Sequence, residues 1–198
     1  ALVRAENPDG KLRYYPGSPR IVRRLMRAQD RMVLTELNSK DCASLTTLFM
    51  RDKQVSVQLT DGYHALKAHL PPQERRGLVL IDSSFDRARE FQRLTKNFAA
   101  AYRKFATGVY ALWYPLMEPA AMRGFERGIA ATGIRKILQL EITTHPENWM
   151  MSVRGCGLLV VNPPFGFEDT ARKILDWLWP VLAPAGAGYR KSVWLAQE

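Results

Sequence analysis

GLVLIDSSF, residues 77–85, carries an unbroken apolar run, Leu78 to Ile81, between a glycine and the acidic end Asp-Ser-Ser-Phe. Short continuous apolar runs bounded by turn residues belong to strands covered on both faces, as in parallel sheets. The stretch therefore predicts a central strand ending at Asp82. In open α/β sheets ligands sit beyond the carboxyl ends of the strands, so Asp82 becomes a candidate for chemistry.

The flanking sequence repeats the same rhythm. RMVLTELN (31–38) and QVSVQLTDG (54–62) read as strands. ASLTTLFMRD (43–52) and HALKAHL (64–70) read as the helices after them, and PPQERR as a loop. Downstream, 86–105 has near-helical apolar spacing, and GVYALWYP (108–115) is a strand closed by proline. MEPAAMRGFERGIAATG (117–133) is a helix with Gly133 at its C-terminal end. RKILQLEITTH (135–145) and GCGLLVVNPPF (155–165) are strands joined by a loop holding Trp149, Met150 and Met151. A helix over 168–182, a Pro-Ala-Gly turn and a strand in SVWLAQE complete the chain. Strands alternating with helices predict an α/β fold with a mostly parallel central sheet. At 198 residues it is expected to be one domain, 1–198.

The formal net charge is +10, from 29 Lys and Arg against 19 Asp and Glu. Such an imbalance favours a polyanionic partner, nucleic acid first. Basic residues cluster at Arg20, Arg23, Arg24 and Arg27, and again between Arg87 and Lys104. No apolar run approaches membrane-spanning length and the first residues lack a secretory pattern, so a soluble, cytoplasmic protein is expected. Cys42 and Cys156 stand far apart and form no C-x-x-C pattern. His64, His69 and His145 lack metal-ligand spacing, so no metal is expected. G-x-G-x-x-G and Walker texts are absent, which argues against a dinucleotide dehydrogenase or a P-loop ATPase.

Three strand ends are acidic in succession: Glu36, Asp61 with Gly62 after it, and Asp82. A carboxylate in the place of Glu36 offers paired acceptors for the two hydroxyls of a ribose. Asp61 could accept an adenine amino group while Gly62 lets the backbone approach the ring. Each acid alone could equally be a plain polar strand terminus. YYPGSPRIVRRLMR (14–27) places Ser18 and Pro19 at a helix start, Ser18 as cap, and that start could also offer N–H groups and a hydroxyl to a ligand carboxylate. Trp113 and Tyr114, at a strand end, are the aromatic residues best placed for a ligand.

The strings YYPGSP, LTEL, DGYHALKAHLPP, RRGLVLID, FATGVYALWYP, ATGIRKILQLE, NPPF and PAGAG, in this order, resemble the bacterial 23S ribosomal RNA adenine-N6 methyltransferases, a family once catalogued with the use of external DNA. The resemblance covers nearly the whole chain. It implies a Rossmann-like, S-adenosylmethionine-dependent methyltransferase acting on 23S ribosomal RNA as a monomer. It places Ser18, Glu36, Asp61, Gly62 and Asp82 at the cofactor, and makes Asp82, Ser83 and Phe85 the catalytic tetrapeptide region. The later Asn162 to Phe165, NPPF, is by the same resemblance a look-alike of the motif.

The chain departs from the family pattern at the motif itself, where D-P-P-Y reads Asp82-Ser83-Ser84-Phe85. Proline fixes φ, so two serines loosen the carbonyl that must meet the adenine amine. The resemblance also makes 1–15 the end of a helical insertion, with the first strand and its methionine-binding loop expected in a preceding segment. A catalytically impaired nucleic-acid-binding homologue, and a factor in the use of external DNA, stand as alternatives.

Overall fold

In the computed structural model, residues 2–85, 89–146, 153–183 and 186–197 are described. The loop expected at Trp149, Met150 and Met151, and Pro184 and Ala185 of the Pro-Ala-Gly turn, lie outside them. The chain divides into two units, residues 1–65 and 66–198.

The first unit holds α1 (Leu2–Glu6), α2 (Ser18–Leu25), β1 (Met32–Glu36), α3 (Ser39–Phe49) and β2 (Val55–Leu59), and α4 (Gly62–His69) begins in it. β1 and β2 pair in parallel, from Met32 opposite Val55 to Glu36 opposite Leu59. The parallel crossover is α3, which packs on both strands. Asn38 caps it, its side chain accepting from the N–H groups of Lys40 (2.9 Å) and Asp41 (3.4 Å). Gln54 secures the segment before β1 by donating from Nε2 to the carbonyls of Arg27, Ala28 and Asp30. Met32, Cys42 and Phe49 are its buried apolar centre.

The second unit holds β3 (Leu78–Asp82), α5 (Glu90–Lys104), β4 (Val109–Leu116), α6 (Pro119–Ala130), β5 (Ile137–Thr143), β6 (Gly155–Val161), α7 (Phe167–Leu182) and β7 (Arg190–Ala196). Its sheet runs in the order β3-β4-β6-β5-β7. β3 and β4 are parallel, while β6 lies antiparallel between β4 and β5, and β7 antiparallel to β5. Three strands, β3, β4 and β5, therefore point one way. α/β architecture is as the alternating pattern predicts.

Two expectations are corrected. Among the described strands β3 is not central: it pairs with β4 alone, with Leu78 62% and Leu80 45% exposed. An apolar run reports that a strand suits cover on both faces, and carries no information about which neighbour supplies it. Pro115 does not close β4, which runs on to Leu116. β3 stops opposite Trp113, so at Pro115 only the β6 side is laddered and the missing N–H costs little.

Across β4, β6 and β5 the residues Tyr114, Gly157 and Glu141 lie in one row. Gly157 has no side chain, so the Tyr114 ring passes over β6 and its hydroxyl donates to Glu141 Oε1 at 2.8 Å. Gln139 Nε2 donates to the Tyr114 hydroxyl (3.0 Å), to Glu141 Oε1 (2.9 Å) and to Glu126 Oε1 (2.9 Å). Tyr189 donates to Glu141 Oε2 at 3.0 Å, with Lys191 Nζ 3.7 Å away. Glu141, 4% exposed, is thus a buried charge with partners on both oxygens, the condition under which such a charge is tolerated. Burial and that carboxylate push the Tyr114 hydroxyl far above its ordinary range, so it stays a donor.

Candidate active site

The proposed residues form two groups, one in each unit. In the first, Glu36 ends β1 and the 59–62 segment ends β2 beside it, with the Thr60 N–H donating to the Glu36 carbonyl at 3.0 Å. Glu36 Oε1 accepts from the Asn38 N–H at 2.8 Å, and among the described residues its other oxygen has no further bond. That leaves an oriented carboxylate with an open oxygen at the carboxyl edge of a parallel pair, which fits a hydroxyl-rich ligand such as a ribose. Asp61 starts α4: its Oδ1 accepts from the Tyr63 N–H at 2.8 Å, and its carbonyl from His64 and Ala65. A Cβ built at Gly62 would lie 3.4 Å from Thr35 Oγ1, at the limit of ordinary van der Waals contact with the end of β1.

Ser18 is exposed and is the first residue of α2. The cap is Gly17, extended at φ −70° and ψ 169°, and no side chain bonds the helix start. The expected Ser18 cap is therefore corrected: the helix begins at the serine itself, which puts its hydroxyl in the first turn.

In the second unit Asp82 ends β3 opposite Trp113 and is exposed. Protein packed along one flank strips part of its hydration and raises its carboxyl above the usual range. Phe85 is half-buried. Its ring lies 4.8 Å from Phe91, tilted by 46°, and meets Trp113 edge-on at 6.2 Å. Ser83 and Ser84 fill the turn between, and both make contacts within the protein. Trp113 is half-buried beside this turn, inside β4 rather than at the strand end expected for it. Tyr114 is not available to a ligand: it is 1% exposed and bound into the Glu141 row, because successive strand residues face opposite sides.

The Asn-Pro-Pro-Phe segment stands at the other end of the sheet. β6 is antiparallel, so its last residue, Val161, pairs with Tyr110 and Ile137 at the starts of β4 and β5. Asn162, at φ 53°, donates from Nδ2 to the carbonyls of Ala106 and Gly108, both at 2.8 Å, and its N–H donates to the Lys136 carbonyl. Its amide is spent on holding loops. From Tyr110 to Trp113 is three residues, roughly 10 Å of strand, so the two motifs lie at opposite ends of β4.

Sequence reading did not single out the Gln139 and Glu141 row. The signal was present: ILQLEIT alternates, and GCG places glycines inside the neighbouring strand, where a glycine marks a close approach. Among the described residues no group of His, Cys, Asp and Glu is placed to hold a metal ion, and no helix is long and apolar enough to cross a membrane.

Residues 1–196 match the family described as ribosomal RNA large subunit methyltransferase D, RlmJ. The chain is 41% identical over 197 residues to the ribosomal RNA large subunit methyltransferase J of Escherichia coli K12, and 40% identical over 198 residues to that of Haemophilus influenzae Rd. Each match takes in the whole of this chain and 70% of the relative. A crystal structure of a Legionella pneumophila protein superposes with a TM-score of 0.90 at 33% identity, over 98% of this chain and 71% of that one. A probable spermidine synthase from Corynebacterium glutamicum, at a TM-score of 0.53 and 16% identity over 86% of this chain and 67% of its own, shares the fold alone.

Proposed function

The chain belongs to the RlmJ family of ribosomal RNA large subunit methyltransferases, and from that premise we propose that it transfers a methyl group from S-adenosylmethionine to N6 of an adenine in 23S ribosomal RNA. One arrangement carries the reading: an accessible carboxylate, Asp82, at the carboxyl end of a parallel strand, followed by an aromatic ring seated on Phe91 and Trp113.

Adenine N6 is a poor nucleophile because its lone pair is delocalised into the ring. Asp82 accepts a hydrogen bond from one amino hydrogen and the Ser83 carbonyl accepts the other, drawing N6 towards a tetrahedral, more nucleophilic geometry. Phe85 stacks on the extruded base, worth about 1 to 3 kcal/mol in single-stranded recognition. Glu36 would accept the ribose hydroxyls of the cofactor, and Asp61 and Gly62 would hold its adenine. Bound there, S-adenosylmethionine supplies an electrophilic sulfonium methyl. Asp82 also receives the proton that N6 gives up, and positioning is the main source of rate.

The test is methyl transfer to unmodified 23S ribosomal RNA by the intact protein, with cofactor binding followed calorimetrically. Asp82→Ala is expected to abolish transfer and leave a folded protein that binds cofactor through Glu36 and Asp61 with reduced affinity. Because Asp82-Ser83-Ser84-Phe85 lacks the family prolines, a non-catalytic RNA-binding role is the competing reading. RNA and cofactor binding without any transfer by the parent protein would favour it.

A further inference from the structure

At the amino-terminal end of β1 and β2, opposite the edge occupied by Glu36 and Asp61, a cavity of about 510 Å³ opens between α2 and the turn from α3 into β2. Five cations line it: Arg20, Arg23, Arg24, Arg51 and Lys53. Among the described residues two carboxylates answer them. Asp52 is taken by Arg23, which also donates to Gln54 Oε1 at 3.0 Å, so this arginine builds the wall. Glu6 is shared by Arg20 (2.6 Å) and Arg24 (3.2 Å). Arg51 and Lys53 are exposed and have no partner among the described residues. The concavity is therefore left with a surplus of about three positive charges, and a cleft lined by one sign of charge concentrates the opposite ion.

We infer that this cavity is a docking site for the phosphate backbone of the RNA substrate, apart from the cofactor edge of the same unit. The inference rests on the proposed function for the identity of the polyanion, and on the cavity for its place. β1 and β2 are each five residues long, about 16 Å, so a chain of phosphates held here is distinct from the cofactor edge. Arg20 and Arg24, each more than 40% exposed at the side chain, can exchange a share of Glu6 for a phosphate without unfolding α2. Phosphate contacts of this kind position the nucleic acid and carry no sequence information.

The experiment compares the intact protein with Arg51→Gln/Lys53→Gln, and with Arg123→Gln/Lys173→Gln as a control that removes the same charge from α6 and α7. Binding of unmodified 23S RNA fragments is measured by filter retention across a salt series, with cofactor affinity by calorimetry. Loss of two phosphate contacts should lower the slope of log K against log salt by about 1.4 to 1.8 and raise Kd several-fold. Cofactor affinity and kcat at saturating RNA should stay unchanged. An unaltered slope and Kd, or an equal loss in the control pair, would overturn the inference. Failure of the parent protein to transfer methyl would instead refute the proposed reaction, and leaves the slope comparison to decide the docking site on its own.

Discussion

Gly157→Ala should be among the most damaging single-methyl additions in the second unit. A Cβ at that position would lie 2.5 Å from the Tyr114 Oη and 2.6 Å from Cε2, and closer still to Cζ. Ordinary contact begins near 3.4 Å, so a fully buried ring must retreat by roughly 1 Å. Its hydroxyl then leaves hydrogen-bonding range of Glu141, now at 2.8 Å, and Gln139, now at 3.0 Å. A hydrogen bond to a charged group contributes about 1.5 to 3 kcal/mol, and overpacking costs about 1 to 3 kcal/mol. Replacing glycine in a strand returns about 0.5 to 1 kcal/mol. The expected net loss is about 2 to 5 kcal/mol, a large fraction of a typical domain's stability. Urea titration followed by tryptophan fluorescence measures it. Tyr114→Leu frees the space, so Gly157→Ala added on that background should cost at least about 1 kcal/mol less than on the parent. A loss below about 0.5 kcal/mol for Gly157→Ala alone, or strict additivity of the pair, would refute the account of the row.

Asp82 must be ionised to accept from N6, and its carboxyl is raised by burial, so the acid limb of kcat/KM should fall above the ordinary carboxylate range. For stability the sign is opposite: the folded state holds this proton longer than the unfolded one, so Asp82's contribution declines as pH rises from the ordinary aspartate value through the raised one. A pH–rate profile, with folding monitored by circular dichroism, checks the first point; a limb at or below the ordinary value would argue that another group accepts. Asn162→Ala removes two side-chain hydrogen bonds to loop carbonyls and leaves a non-glycine residue at φ 53°, so it should cost about 1 to 3 kcal/mol of stability. Methyl transfer per folded molecule should not change, and a catalytic defect exceeding the folding defect would restore the Asn-Pro-Pro-Phe segment as a candidate.

Strand positions and strand ends were legible because they depend on local pattern. Glu36 and Asp82 close apolar runs, and each ends its strand in the structure. Sheet order was less legible, since β6 reads the same whichever direction it runs, and only the ladder shows it antiparallel between β4 and β5. For the same reason the apolar text of β3 did not disclose that, among the described strands, it pairs with β4 alone. Tyr114 read as a ligand-facing aromatic because it stood with Trp113 at an expected strand end, whereas β4 continues to Leu116 and alternation sends the two rings to opposite faces. The alternation of Gln139, Glu141 and Thr143 suggests a wet face, yet all three are buried. Their hydrogen bonds come from residues as distant in sequence as Tyr114 and Tyr189, and no local window contains them.

Serines at 83 and 84, where the resemblance implies prolines, raise the question of what keeps Phe85 in place, and the aromatic contacts supply an answer. Phe85 lies on Phe91 at 4.8 Å, Phe91 on Phe125 at 4.9 Å, and Phe125 on Tyr114 at 5.1 Å. Offset or tilted ring pairs at such separations each contribute about 0.5 to 1.5 kcal/mol beyond their buried area. The chain of rings ends in the Tyr114 hydroxyl, which is fixed by Glu141 across the gap that Gly157 leaves. A proline pair restrains the backbone of a turn directly, whereas here restraint reaches the turn through its side chain, from α5, α6 and β4. Core packing thus restrains the Ser83-Ser84 turn through Phe85, and the buried polar row and the proposed catalytic turn are two ends of one contiguous set of contacts.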